Sequence, residues 1–569
     1  MLYATGLGLL VLSWWQPMHL LPWVSWHSEM LAFISNAVIA LTILNQIRLS
    51  GKRNVEIPWV LLPFFMLIPL AMLQWISGRI GFSGDLLVII FYVATGSVAL
   101  VIGFNIVQAR PGGCTQYALG QRRIHQFASA VLVGAVGSVI LALAQALLVW
   151  DDASWIHRTY AYRRPGGNLS QPNHLATLIL MGVASLAYLH ESTKLGAKAA
   201  FALLCLYILG LAVTESRSGT LGFFTLAIWW GVRRKLVGFT APRAIAVFSS
   251  MLLIGLLWAW PKFLTYVHSG GMDVVFNSTG ISLSSAGRFM VWPQLLEAVL
   301  QRPWLGWGLG EVGFANNAVL GGYLAGLPLN YAHNIVLDLL IGIGVPLTIL
   351  LTVMVLIWLG RRLKSTMTLL PWYGLALLLP VGLHSMFEFP YAYAYFLLPA
   401  MFATGLVEGA LAPFTAIQLN WRLAAWGVSV LAAGMIWSAV EYFAVEEDYR
   451  VARFEALKVG HRPVGYERPN IHLLSQLSAL NDVSRSTPTP GMSMEQIDVF
   501  RKVAMRYPWF ATQNRYALSL ALNGHPEEAV RQLKVMRAMH GEQAFSGIRT
   551  HWKDLAQTSY PQLRDLPLP

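Results

Sequence analysis

Cysteine is nearly missing from this chain: the 569 residues hold two, Cys114 and Cys205, too few for a disulfide framework or a thiolate metal site. Charge is scarce as well, with Asp, Glu, Lys and Arg at 12% against 56% hydrophobic and 12% aromatic residues. Such a composition cannot clothe a water-soluble surface. Carboxylates outside the apolar runs, such as Asp151, Asp152, Asp273, Glu297 and Glu311, are scattered without the spacing of metal ligands, so no metal and no cofactor is expected. The formal charge of +13 comes without a basic stripe interleaved with stacking aromatics, which argues against nucleic acid as a partner. The apolar runs also lack two-residue alternation, and a lipid-facing barrel is excluded.

What the chain does have is apolar runs of about 17 to 25 residues, the length that crosses a hydrocarbon core of roughly 30 Å. They begin near Leu2, Met30, Trp59, Leu86, Phe127, His174, Ala199, Gly219, Ala244, Ile335, Leu369, Tyr395 and Arg422. The expected fold is an all-α polytopic membrane protein with about 13 transmembrane helices. The first run has no basic leader and continues into Trp14, Trp15 and Pro17, so it is expected to remain as an anchor. One alternate set of loops, including Arg48, Arg122, Lys194, Arg233 and Arg361, carries sixteen Lys and Arg; the other, including Arg79, Arg163, Arg164, Arg217, Arg288 and Arg302, carries eight. Positive loops stay on the cytoplasmic side, which puts the second set and the final 126 residues on the outer face.

Two regions break the alternation of spans and short loops. Residues 265–330 are too long for a connector and hold Gly287-Arg288, an amphipathic helix expected over Val291 to Leu300, and Pro303-Trp304-Leu305-Gly306-Trp307-Gly308-Leu309-Gly310. Indole rings favour the bilayer interface, so this loop reads as a lid on the outer membrane surface. Residues 444–569 drop in hydropathy and read as a helical domain beyond a transmembrane domain of residues 1–443. Within it, Tyr507 to Ala529, with its Gly524-His525-Pro526 turn, resembles one tetratricopeptide unit, which needs neighbours to bury its face. Ser484 to Gly491, with the prolines of Thr487-Pro488-Thr489-Pro490, reads as a flexible joint.

Candidate chemistry gathers on the outer face. Arg163-Arg164-Pro165-Gly166-Gly167-Asn168-Leu169-Ser170-Gln171-Pro172-Asn173-His174 is a basic, polar loop wedged between two spans. Arg217 lies in a hairpin so short that its guanidinium must sit at or below the interface, Arg288 follows a glycine in the lid, and His333 stands just before a helix start that Asn334 can cap. Each has a plainer reading, as a headgroup-gripping arginine or an interfacial structural histidine. Together they supply fixed planar cations, suited to diphosphate by paired charge-assisted bonds, and one titratable base with an ordinary pKa of about 6.5. That combination points to transfer from a phosphate-activated lipid.

The run Pro165 to Ala176, the segments Ser216-Arg217-Ser218-Gly219, Gly287-Arg288, Pro303 to Gly310 and Ala332-His333-Asn334, and His384-Ser385-Met386-Phe387-Glu388-Phe389-Pro390 with Tyr391, Tyr393 and Tyr395 behind it, resemble the bacterial O-antigen ligase and polymerase superfamily, and within it the protein O-oligosaccharyltransferases. The resemblance implies an inverting, metal-independent transfer on the periplasmic side of the inner membrane, from an undecaprenyl-diphosphate-linked oligosaccharide to a protein such as a pilin. It makes His333 the base on the acceptor hydroxyl and Arg217 and Arg288 the diphosphate ligands. Gln171 and a tyrosine of the group containing Tyr391 and Tyr393 would position donor or acceptor, with Arg163, Arg164, Asn173 and His174 lining the same loop. The lipid A core as acceptor, or repeat-unit polymerisation, differs only in the acceptor. A transporter of lipid-linked sugars would show repeated halves and ionisable residues deep in the spans; no repeat is evident, and Asp338 and Glu408 are the carboxylates clearly inside apolar runs.

Overall fold

In hydrocarbon a single-chain apolar segment satisfies its backbone N–H and C=O groups only as a helix, and the long apolar runs among the described residues are helical. The computed structural model describes residues 1–107, 114–150, 153–158, 164–268, 285–411, 417–459 and 465–569. Among them nine helices are long and apolar enough to cross a membrane: Trp26–Leu49, Ser83–Val107, Ala118–Ala146, Pro172–Glu191, Ala197–Thr214, Arg243–Val267, Val345–Ser365, Ala394–Leu411 and Trp421–Leu457. Leu2–Trp15, Leu61–Ile76 and Leu369–Ser385 are shorter apolar helices. The protein is an all-α, multi-pass membrane protein. Among the described residues strand structure is confined to one antiparallel pair, Asn54–Ile57 with Ile417–Asn420, in which Asn54 faces Asn420.

Several expected elements differ in detail. The run from Trp59 is interrupted at Met66, between helices Leu61–Phe65 and Leu67–Ile76. The run from Ile335 is interrupted at Gly344, whose φ of 81° only glycine adopts without strain, giving Ile335–Ile343 and Val345–Ser365. Arg217–Val237 is a helix of 21 residues ending in Arg234 and Lys235, and it is not among the nine. The helix Arg243–His268 runs past residue 265, residues 269–284 of the expected lid lie outside the described residues, and the lid helix is longer than expected, Ser285–Gln301. Trp421–Leu457 is one helix of 37 residues that passes through the expected division at 443/444.

The chain divides into two compact units: Met1–Met66, Phe91–Ile281 and Val355–Ile436 form the first, and Leu67–Ile90, Ser282–Met354 and Trp437–Pro569 the second. In the first unit the helix Pro172–Glu191 is the most enclosed span, with 78% of its apolar window buried, so the polar loop at its start is carried by a central element. Ser83–Val107 and Ala394–Leu411 cross backbone to backbone, because a side chain at Gly103 would meet the Phe402 carbonyl at 2.1 Å and one at Gly405 the Leu100 carbonyl at 2.0 Å. By contrast Val345–Ser365 leaves Ile349, Leu350, Val353 and Leu356 uncovered, an apolar face of the kind that suits lipid tails. Glu408 takes Arg362 at 2.6 Å and the Trp358 indole at 2.7 Å, which makes it half of a structural ion pair rather than a transport group.

In the second unit the tail folds into helices Ser475–Arg485, Met494–Arg506, Phe510–Leu522 and Pro526–Thr558, the last kinked at Gly541. The expected helix–turn–helix is there, with Ala517, Leu518 and Leu522 buried against Leu533, Met536, Phe545 and Trp552. It also has the neighbours it needs. Leu320 and Tyr323 of the long loop pack on Val535 and Met539, the Gly326 N–H donates to Ala538, and Arg506 pairs with Asp85 at 3.0 Å. The expected joint at Ser484 to Gly491 is instead pinned, because Arg515 donates to the Ser484 and Ser486 carbonyls, Asn523 to Thr489 and the Tyr560 hydroxyl to Pro488. Its prolines end a helix without freeing the chain.

Glu311 sits in the same body, 3% exposed, and accepts the Gly81 N–H at 2.9 Å. Burial first and Asp85 second push its carboxyl up to about 8 from 4.5. A raised folded-state value means the folded protein holds the proton more tightly, so this contribution to stability is complete below about 4.5 and is lost as pH rises through about 8. Glu311→Gln keeps the acceptor for Gly81 and removes the titration. Between pH 5 and 8 the melting temperature of the wild type in detergent is expected to fall relative to that of the variant; parallel curves would refute this.

Candidate functional site

The first unit assembles a cationic turn from two helix starts. Gln171 caps Pro172–Glu191 by accepting the His174 N–H at 3.1 Å, and Ser216 caps Arg217–Val237 by accepting the Gly219 N–H at 3.0 Å. The caps are tied together, since the Ser216 hydroxyl donates to the Asn173 carboxamide at 2.7 Å. Glu215, at φ 46°, makes the turn tight enough for Arg217 to be the first residue of its helix. Arg164 donates to the Thr214 carbonyl at 3.3 Å, on the same turn. Two helix N-termini, each the positive end of a macrodipole with unsatisfied N–H groups, therefore meet beside the exposed side chains of Arg164 and Arg217. Such an arrangement of helix starts and arginines favours an anion.

The loop before Gln171 is held from within. Asn168, 2% exposed, donates to the Trp155 carbonyl at 2.9 Å and to the Trp15 carbonyl, and accepts the His157 N–H at 2.9 Å. His19 binds the Asn168 carbonyl at 2.8 Å, and the Ser170 hydroxyl lies 2.9 Å from His157. Arg163 lies outside the described residues. His174 is buried at 3% exposure, its ring centroid 4.6 Å from Tyr393 and 5.4 Å from Phe396, with the Tyr395 hydroxyl 3.4 Å from its Nδ1. It acts in packing, joining the loop to the tyrosine stretch. Tyr391 lies in the one-turn helix Pro390–Ala392, and Tyr391 and Tyr393 are half-buried where Tyr395 is buried. His384 meets Thr177 at 2.8 Å.

Sequence reasoning passed over Glu29. This buried carboxylate accepts from the Ser25 hydroxyl, the Trp23 indole at 3.3 Å and the Ala394 N–H at 3.5 Å, bracing the residue next to Tyr395. A carboxylate in the opening turn of an apolar run was the available signal; it reads there as an ordinary N-terminal charge.

The second unit builds the surroundings of His333. Its φ is 55°, left-handed and costly for an L side chain. The peptide groups before it are clamped on both sides: Asp338 accepts the Ala332 N–H at 2.7 Å, and the Trp292 indole donates to the Ala332 carbonyl at 3.0 Å. Behind it, Asn334 caps Ile335–Ile343 by accepting from Val336 and Leu337 at 3.0 and 3.1 Å. Trp292 belongs to Ser285–Gln301, the helix that also carries position 288; the Arg288 side chain lies outside the described residues. The Pro303 to Gly310 segment is the floor. Val345 donates to the Pro303 carbonyl at 2.7 Å, Trp307 to Ile341 at 2.7 Å, and Gln74 holds both Gly342 and Leu309 at 2.8 and 2.9 Å.

Asp338→Ala strands the buried Ala332 N–H, at a cost of about 1–3 kcal/mol, and releases the left-handed turn. Transfer by Asp338→Ala is expected to fall at least about tenfold for a loss of about 1.4 kcal/mol in His333 placement, with Asp338→Asn retaining most activity because its Oδ1 can still accept. Equal activity in both variants would show that the clamp is irrelevant.

Among the described residues no group of three His, Cys, Asp or Glu is arranged to hold a metal. Residues 165–190 match the family model "Protein glycosylation ligase", residues 200–352 "O-Antigen ligase", and residues 372–554 "Virulence factor membrane-bound polymerase, C-terminal". A "General O-oligosaccharyltransferase" of Acinetobacter baylyi is 25% identical over 547 residues, covering 94% of this chain and 91% of that one. A "ComP-specific O-oligosaccharyltransferase" of the same organism is 24% identical over 65% of each chain. Fold and relatives support one class, an integral-membrane glycosyltransferase. The chain resembles the O-antigen ligase and polymerase superfamily, and within it the O-oligosaccharyltransferases.

Proposed function

We propose that the protein transfers an oligosaccharide en bloc from undecaprenyl diphosphate to serine or threonine hydroxyls of proteins, pilin-like ones among them, at the periplasmic face of the bacterial inner membrane. The observation that carries this reading is the pairing of two helix N-termini through Asn173, in the segment that matches the glycosylation-ligase model, and Ser216, in the segment that matches the O-antigen ligase model, beside Arg164 and Arg217. In this proposal Arg217 and Arg288, with Arg163 and Arg164, bind the diphosphate. Gln171, Tyr391 and Tyr393 position the sugar or acceptor, and Asn173 and His174 hold the loop. His333 takes the hydroxyl proton as the oxygen attacks C1; the C1–phosphate bond breaks, the configuration inverts, and the lipid diphosphate leaves with its charge on the arginines. The proposed division of labour is a transmembrane glycosyltransferase domain of residues 1–443, with residues 265–330 as its periplasmic loop, and a periplasmic helical domain of residues 444–569.

A defined undecaprenyl-diphosphate oligosaccharide, supplied to the purified enzyme with a pilin-like protein and with lipid A core, tests it by mass spectrometry of both acceptors. Glycan on Ser or Thr is the expected result. Glycan on the lipid alone would make the protein a ligase, and donor movement across vesicles without transfer would make it a transporter.

A further inference from the structure

A groove of about 930 Å³ runs between Leu2–Trp15 and Cys114–Ala146, near the top of the roughly 300–1,000 Å³ range of small-molecule sites. Its two ends differ in chemistry. Leu7, Val11, Ala130 and Val133 make one end apolar, while Gln121, Arg122, His125 and Lys194 gather at the other. From Val133 to Arg122 the helix rises about 16 Å. Among the described residues no carboxylate lines the groove, and both cations are exposed. Its basic end is far from the cationic turn already described: Gln145, at the other end of the same helix, donates to the Gly167 carbonyl of that loop, and the helix rises about 35 Å between Arg122 and Gln145.

We propose that this groove holds one anionic glycerophospholipid, its acyl chain along Leu7, Val11 and Val133 and its phosphate between Arg122 and Lys194. A zwitterionic lipid or an apolar partner helix offers no net negative charge to two cations that have no acid among their neighbours in the groove. The site belongs to the leaflet opposite the cationic turn, so it does not depend on how donor and acceptor bind.

The full-length protein, delipidated in detergent, is titrated with phosphatidylglycerol or phosphatidylcholine and read by native mass spectrometry. Phosphatidylglycerol is expected to bind about thirtyfold more tightly, the equivalent of about 2 kcal/mol for two cations near a membrane surface. The double variant R122Q/K194Q, which changes only exposed side chains, is expected to lose that preference. A Cβ at Gly8 meets no atom within 4 Å, so Gly8→Leu grows into the groove and is expected to weaken both lipids. Equal binding of the two lipids by the wild type, or an undiminished preference in R122Q/K194Q, overturns the proposal. So does tighter binding of undecaprenyl phosphate than of phosphatidylglycerol, which would make the groove a polyprenyl site.

Discussion

His333→Asn protein is expected to insert, purify and melt like the wild type and to transfer glycan at least about 10²- to 10⁴-fold more slowly, the usual contribution of a general base. Asparagine is the informative replacement, because the residue stands at φ 55° and asparagine tolerates that conformation better than alanine or glutamine. His333→Ala is expected to be equally inactive and slightly less stable. Neither substitution touches the clamp on Ala332 or the cap at Asn334, which are made by Asp338, Trp292 and Asn334 themselves. Normal transfer by either correctly inserted variant removes the base assignment.

Arg217→Ala is expected to cost about 10²- to 10³-fold in kcat/KM, the loss typical of removing one donor aimed at developing negative charge. The side chain is exposed and begins its helix, and the turn is held by Ser216 and Asn173, so folding is expected to be unaffected. Arg217→Lys should recover part of the loss, since a lysine restores the charge but not the paired planar donors. Arg288→Ala is expected to behave like Arg217→Ala. If alanine at either position raises KM for the lipid-linked donor tenfold or more with kcat unchanged, that arginine serves ground-state binding rather than the departing diphosphate.

The helices were legible because apolar runs of membrane-crossing length leave the backbone little choice, and the caps were legible at Asn334 because Asx residues before an apolar run do one thing well. The breaks were not. Gly344 interrupts a run that hydropathy alone reads as continuous, since the cause lies forty residues away, where Pro303 offers its carbonyl to Val345. The Ser484 to Gly491 joint misled for the same reason: its prolines are local, but Arg515, Asn523 and Tyr560 pin it from later in the chain. Of the candidate site, Arg217 and Asn173 were visible as residue types in suggestive company, whereas the bond that brings their helices together through Ser216 spans 43 positions and leaves no local trace. Glu29 and Trp292 were missed because a lone acid at a helix start and a lone indole in an amphipathic helix each have a plainer local meaning.

In the proposed function Arg217 and Arg288 bind one lipid diphosphate and His333 takes the proton of the acceptor hydroxyl. Cryo-electron microscopy of the enzyme with a non-transferable undecaprenyl-diphosphate glycan bound tests it most directly. The account predicts phosphate oxygens within hydrogen-bond distance of both guanidinium groups, beside the Asn173 and Ser216 turn, and an imidazole nitrogen opposite the breaking bond. A diphosphate bound elsewhere, or the three side chains opening onto separate cavities, would contradict it.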